Sequence, residues 1–253
     1  MNSKKSIMKK YIGITDARSR EVVEQLLAVV PGDCTLVVGE MMSFKCFYGI
    51  PTKWEYDVRS LEGTFIDHPK VYNVLHYADY QKIDVLRTLK KLLPYCGSHL
   101  EAVQLDMVLA HKEVIKFLRS KGLEVIIQVS PIIFEYMEHN PVLLRKRLLE
   151  YGPIEHFLLD LSLGKGINID TTYLSPFVDE LLGTTNSNVI FAGALNEEVY
   201  GTLENCSHYF QSGRVWTDAQ SGLRKSRKSV DPLNIKLASK YIKGVAQLHR
   251  EKR

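Results

Sequence analysis

Acidic residues recur in this sequence just past short apolar runs. Asp16 follows Tyr11–Ile14, Glu40 follows Thr35–Gly39 and Asp79 follows Val71–His76. Asp106 follows Ala102–Leu105, Asp160 follows His156–Leu159 and Asp218 follows Arg214–Thr217. Continuous apolar runs of this length read as strands buried on both faces. A packed core has no use for a carboxyl group at the end of each. Any one of these acids is explained by capping the helix that follows. As a set at converging strand ends they make a polar pocket suited to general acid–base work. His76 ends the third run. It reads equally as a titratable group of that pocket or as a buried, hydrogen-bonded core histidine.

Anion chemistry is suggested by glycines. Phe191-Ala-Gly193-Ala194-Leu-Asn196 pairs with Ser221-Gly222-Leu223. A glycine lets backbone approach a ligand closely, and the N–H groups of a following helix then face an anion. Asn196, with Glu197 and Glu198 behind it, reads as a helix N-cap with an acidic first turn. Beside Asp160 lie Gly164 and Gly166, which make a flexible loop. Lys165 between them either reaches an anionic substrate or marks an exposed turn.

These residues need a scaffold that brings strand ends together. The apolar runs alternate with helical patterns along the whole chain, and eight such strand–helix units fit in the 253 residues. Helices are expected over Arg18–Val30 (capped by Asp16), 80–95, His111–Ser120, 141–150, 172–182, after Asn196 and over 233–248. Alternation argues a parallel sheet, and eight units argue a closed α/β barrel, the (β/α)8 TIM barrel, as one domain over residues 1–253. An open doubly wound sheet is the alternative, but no G-x-G-x-x-G follows the first strand. In such a barrel the site lies at the C-terminal strand ends, and the loops after strands seven and eight are a recurrent phosphate site. Residues 41–68, after strand two, are too long for a plain connection. They read as a functional loop with a helix near Trp54–Glu62.

Composition narrows the function classes. Hydrophobic content is 45% and charged content 25%, a globular balance. The net charge of +4 is too mild to imply nucleic acid. The cluster Arg224, Lys225, Arg227, Lys228 reads as a solvated loop. No apolar run approaches the ~18 residues that span a membrane, and no apolar segment follows the N-terminal lysines as a secretory signal requires. Cys34, Cys46, Cys96 and Cys206 form no C-x-x-C pair and read as free thiols of a reducing, cytoplasmic compartment. No cofactor is implied, and the oligomeric state leaves no mark.

Several segments, collinear over about residues 10–224, resemble phosphoribosylanthranilate isomerase, the barrel enzyme of tryptophan synthesis. Lys10-Tyr-Ile-Gly-Ile-Thr15 is similar to that family's K-[IV]-C-G-[IL]-[TR], and Val103-Gln-Leu-Asp106 to its V-Q-L-H-G. Phe157-Leu-Leu-Asp160 with Gly164-Lys-Gly166 and Ile169-Asp170 is similar to L-L-D…G-x-G-x-x-F-D-W. Ala192-Gly-Ala-Leu195 is similar to A-G-G-L, and Asp218-Ala-Gln-Ser-Gly222 to D-V-S-S-G-V-E. The resemblance implies an Amadori rearrangement of a phosphorylated aminoaldose, with Asp160 as general acid. Gly164, Gly166, Gly193, Ala194, Ser221 and Gly222 would hold substrate and phosphate. The family's base, the Cys of the first motif, is Ile12 here, and the His of V-Q-L-H-G is Asp106. Asp106, His76 and Asp79 are then the candidate bases, and Ile12→Cys is expected to raise activity. Lys45 and Lys53 are candidates for the family's missing carboxylate-binding Arg. Two other readings stand beside this one. The first is a barrel that keeps the phosphate site without the chemistry. The second is a metal-assisted enzyme using Asp79, Asp106, Asp160 and Asp218.

Overall fold

The computed structural model describes residues 10–52, 57–81, 84–106, 109–162 and 167–251. Eight parallel strands close into a barrel in sequence order. They are β1 (Lys10–Thr15), β2 (Cys34–Ser43), β3 (Val71–Ala78), β4 (Ala102–Asp106), β5 (Glu124–Val129), β6 (His156–Asp160), β7 (Asn188–Ala192) and β8 (Val215–Ala219). The helices are α1 (Arg20–Leu27), α2 (Phe44–Phe47), α3 (Ser60–Thr64), α4 (Val85–Leu92), α5 (Lys112–Ser120) and α6 (Pro131–Tyr136). Next come α7 (Pro141–Leu149), α8 (Thr171–Thr184), α9 (Val199–Leu203), α10 (Ser207–Gln211) and α11 (Ile235–Leu248). Among the described residues no helix is long and apolar enough to cross a membrane. All four cysteines are free thiols.

Alternation along each strand sorts side chains into two cores. Val37, Tyr72, Val74, Ala102, Ile126, Leu158, Ile190 and Trp216 fill the barrel interior. Ile12, Ile14, Leu36, Val38, Leu75, Val103 and Phe191 face the helices and join the larger outer core. On β1 the inward positions are therefore Tyr11, Gly13 and Thr15. Tyr11 stacks near Tyr72 and Trp216, ring centroids 5.4 and 5.5 Å apart. Ile12, where the family motif carries its base, is fully buried on the outward pleat. A side chain there does not reach the mouth, which corrects the expectation attached to Ile12→Cys.

Several local expectations are revised. Ser19, not Asp16, caps the first helix, accepting from the Val22 N–H at 3.3 Å. That helix starts at Arg20 rather than Arg18. Asn196 bonds the Glu198 N–H at 2.7 Å, and α9 begins only at Val199. The stretch 41–68 is shared by the end of β2, by α2 and by α3, which starts at Ser60. Trp54 and Lys53 lie outside the described residues. An unforeseen helix, α6, opens on Pro131, whose missing N–H costs nothing at a first helical position.

Candidate active site

The strand ends open on a cavity of about 710 Å³ at the C-terminal mouth of the barrel. Each strand places side chains in its wall, among them Thr15, Met41, His76, Asp106, Gln128, Asp160, Ala192 and Asp218. Helix α2 adds Lys45, and the segments after the strands add Asp79, Tyr80, Gly193, Gln220, Ser221 and Ser229.

Asp160 ends β6 on the inward pleat. It accepts from the backbone N–H and hydroxyl of Ser162, both at 2.7 Å, and from the Gln128 amide at 3.2 Å. Gln104 donates to Gln128 at 2.7 Å, so β4, β5 and β6 are tied together beneath the carboxylate. Among the described residues these donors all use the carboxyl oxygens of Asp160 as acceptors. Asp106 ends β4 nearby and accepts from the Tyr80 hydroxyl. Burial pushes its carboxyl up to about 6, with the charge of Asp160 acting in the same direction and the Tyr80 bond against it.

Across the mouth, Thr15 donates to Asp218 at 2.9 and 3.0 Å. Burial, with the charges of Asp16 and Asp160, pushes Asp218 up to about 7, against the Thr15 bond and the Arg224 guanidinium. Near it, His76 is 3% exposed. Burial alone pushes its imidazole down to about 3, so the ring is neutral. Asp79, also buried, accepts from the Gln81 N–H at 3.1 Å and the Tyr77 hydroxyl at 3.3 Å.

Asp16 and Glu40 lie behind this wall rather than in it. Asp16 accepts from the Met41 N–H at 3.1 Å and from Gln220 at 2.6 Å, and Glu40 accepts from the Arg18 N–H at 2.8 Å. Burial and then the charge of Asp16 push Glu40 up to about 8. Arg224, expected in a solvated loop, is instead fully buried. It donates to the carbonyls of Thr15 and Asp16, both at 2.9 Å, and to that of Gln220. The basic residues that follow Arg224, namely Lys225, Arg227 and Lys228, are exposed, and nothing in the spacing of the cluster marks Arg224 as the one turned inward.

Of the anion-site candidates, Gly193 and Ser221 stand in the cavity wall. Gly193 has φ +144°, a backbone that side-chain-bearing residues rarely adopt. The Ala194 N–H is already donated to the Ile167 carbonyl at 3.2 Å. Gly222 packs against the β7 loop, where a Cβ would lie 2.0 Å from the Leu195 carbonyl oxygen. Gly164, Lys165 and Gly166 lie outside the described residues. Among the described residues no three His, Cys, Asp or Glu side chains gather as a metal site requires, so the metal-assisted alternative gains no ligand set.

No family model and no curated protein matches the chain by sequence. Solved structures do align along nearly its whole length. TrpF from Jonesia denitrificans superposes with a TM-score of 0.60 at 14% identity, covering 96% of this chain and 99% of that one. N-(5'-phosphoribosyl)anthranilate isomerase from Pyrococcus furiosus gives 0.60 at 17% identity, covering 94% and 98%. The Thermococcus kodakaraensis phosphoribosyl anthranilate isomerase gives 0.58 at 13%, covering 96% and 100%. A Rubisco-like protein from Rhodopseudomonas palustris follows at 0.56 and 11%, covering 97% of this chain and 66% of that one. At these identities the likeness is one of fold.

Gln104, Gln128 and Tyr80 are the site residues that strand-end reading passed over, while Thr15 was given no role and Asp218 only a place among the pocket acids or as a metal ligand. Counting pleats would have found most of them. Thr15 is two residues from Gly13, Gln104 two from Ala102, Gln128 two from Ile126 and Asp218 two from Trp216, all on the interior face.

Proposed function

We propose that this barrel catalyses an Amadori-type isomerisation of a phosphorylated aminosugar. One observation carries the reading: a single strand-end cavity holds Asp106, Asp160 and Asp218, two of them titrating close to neutral pH. Groups poised there exchange protons in both directions at working pH. The full-length likeness to isomerases of this class supports the same scaffold use.

Asp106 is the acid, and the charge of Asp160 helps hold the proton on. This exchanges the role that the family resemblance gives Asp160. Asp106 protonates the sugar ring oxygen as the C1–O bond breaks and the nitrogen lone pair forms C=N. A base then takes the C2 proton, the electron pair of that bond moves into C1–C2, and the resulting enaminol becomes the aminoketose. Asp160, fixed by Ser162 and Gln128, faces the iminium charge. The phosphate end lies against Gly193 and Ser221.

The mouth end of the inward pleat of β1 carries Gly13 and Thr15 and no carboxyl, imidazole or thiol group, which favours a second reading. In that reading the cavity binds such a metabolite without turning it over. The test is an assay with phosphoribosylanthranilate, following loss of substrate fluorescence. Turnover that falls at least a hundredfold in Asp160→Asn and in Asp106→Asn is the expected result. Wild-type protein that binds the compound without consuming it would leave the second reading standing.

A further inference from the structure

The isomerisation just described lacks a base for the C2 proton, and the proposal here rests on that reading. Gly39, on the inward pleat of β2, marks the place to look. A Cβ there would lie 2.6 Å from His76 Nε2 and 2.7 Å from Thr15 Oγ1. Gly13 on β1 does so beside β8, where a Cβ would lie 2.6 Å from the Thr217 carbonyl oxygen and 2.9 Å from Asp218 Oδ1. Two glycines on adjacent strands thus clear a channel in which His76, Thr15 and Asp218 lie side by side. Thr15 Oγ1 sits 3.5 Å from His76 Nδ1 and 2.9 and 3.0 Å from the two Asp218 oxygens. His76 Nε2 has no hydrogen-bond partner among the described residues, while the ring lines the cavity.

We propose that His76, Thr15 and Asp218 form a hydroxyl-bridged proton relay in which His76 Nε2 accepts the substrate's carbon-bound proton and Asp218 receives the proton at the far end. Thr15 has one hydroxyl hydrogen. With Asp218 ionised it is donated there, and the lone pairs of Oγ1 face Nδ1. The ring then carries its hydrogen on Nδ1 and presents a bare Nε2 to the cavity. Burial keeps the imidazole from holding a positive charge. It can therefore take a proton at Nε2 only by releasing the one on Nδ1. In the step C–H breaks and Nε2–H forms, Nδ1–H breaks and Oγ1–H forms, and the original Oγ1–H breaks as an Asp218 O–H forms. Contacts of this kind are often long without substrate and shorten when it binds.

Other groups act on the two ends. Asp16 from the end of β1 and Asp160 from β6 favour the protonated Asp218, and Arg224 from the segment after β8 opposes it. Tyr241 of α11 bonds Thr217 at 2.7 Å on the outer face. Around His76 the register neighbours are Met41 and Gln104, neither charged.

The experiment is 15N–1H NMR of the His76 ring nitrogens in the intact protein, from pH 5 to 9. The expected result is the Nδ1–H tautomer at high pH, shifting toward Nε2–H as Asp218 takes up its proton near pH 7. In Thr15→Val the tautomer ceases to follow pH, Thr15→Ser restores the link, and Asp218→Asn abolishes it. A ring that holds one tautomer throughout, or that responds to pH equally in Thr15→Val, overturns the relay. This readout needs no substrate, so it decides the relay even if phosphoribosylanthranilate is not consumed. If that compound is consumed, Thr15→Val should lower kcat about a hundredfold at nearly constant KM. An unchanged kcat there overturns the relay and leaves the isomerase reading intact.

Discussion

Asp106 and Asp160 are both aspartates at strand ends, and their surroundings set them apart. Asp160 has the Ser162 N–H, the Ser162 hydroxyl and the Gln128 amide. Asp106 has the Tyr80 hydroxyl, which favours its ionised form against the stronger effect of burial. Removing that hydroxyl in Tyr80→Phe should therefore move the Asp106 titration above about 6, visible as an upward shift of its carboxyl 13C titration. A shift downward would mean that burial is not what holds the proton. Asp218 and Glu40 make a related case for stability. Both are raised in the fold, to about 7 and about 8, so the folded state favours their protonated forms. That preference is intact below the ordinary carboxyl range and is lost as pH rises through those values. The thermal midpoint should fall between pH 5.5 and pH 9, and Glu40→Gln should flatten the part of the fall above pH 7. A midpoint that rises over this interval would contradict the assigned shifts.

Among the elements, the strands were the most legible in the sequence. Apolar runs such as Val71–His76 and His156–Leu159 have one physical meaning in a parallel sheet, and the structure places strands on them. Pleat direction was less legible. The motif likeness put Ile12 where a base belongs, but packing of Tyr11 against Tyr72 and Trp216 turns Ile12 toward the helices. Helix starts were also missed where a side chain had two possible employments. Asp16 resembles a cap, yet the Met41 N–H and Gln220 claim it. The loop glycines are a mixture of chemistry and packing. Gly222→Ala would drive a methyl group into the Leu195 carbonyl. Overpacking of this kind costs ~1–3 kcal/mol, and each kcal/mol lowers the midpoint by roughly 2–4 °C in a domain of this size. Calorimetry that finds no loss would show that the two loops part easily. Gly193 tests the anion seat instead. If phosphate binds there, millimolar inorganic phosphate should raise the wild-type midpoint, and Gly193→Val should abolish that rise.

For the molecule as a whole, the closed eight-stranded barrel followed from strand–helix alternation, and most of the cavity acids followed from strand ends. The segregation of those acids did not. Asp79, Asp106, Asp160 and Asp218 line the mouth, whereas Asp16 and Glu40 are withdrawn into the network around Arg224. That division depends on residues far apart in the chain. Arg224, from beyond the last strand, grips the backbone of the first at Thr15 and Asp16. It thereby fastens the seam where β8 meets β1, a short pairing of Ile12, Gly13 and Ile14 with Thr217, Asp218 and Ala219. A seam joining segments over 200 residues apart carries a large loop-closure cost and is expected to form late in folding. Until it closes, β1 and β7 or β8 present unpaired edges, which are templates for association with other chains. Arg224→Met should therefore show itself during refolding more than at equilibrium, as aggregation that worsens with protein concentration.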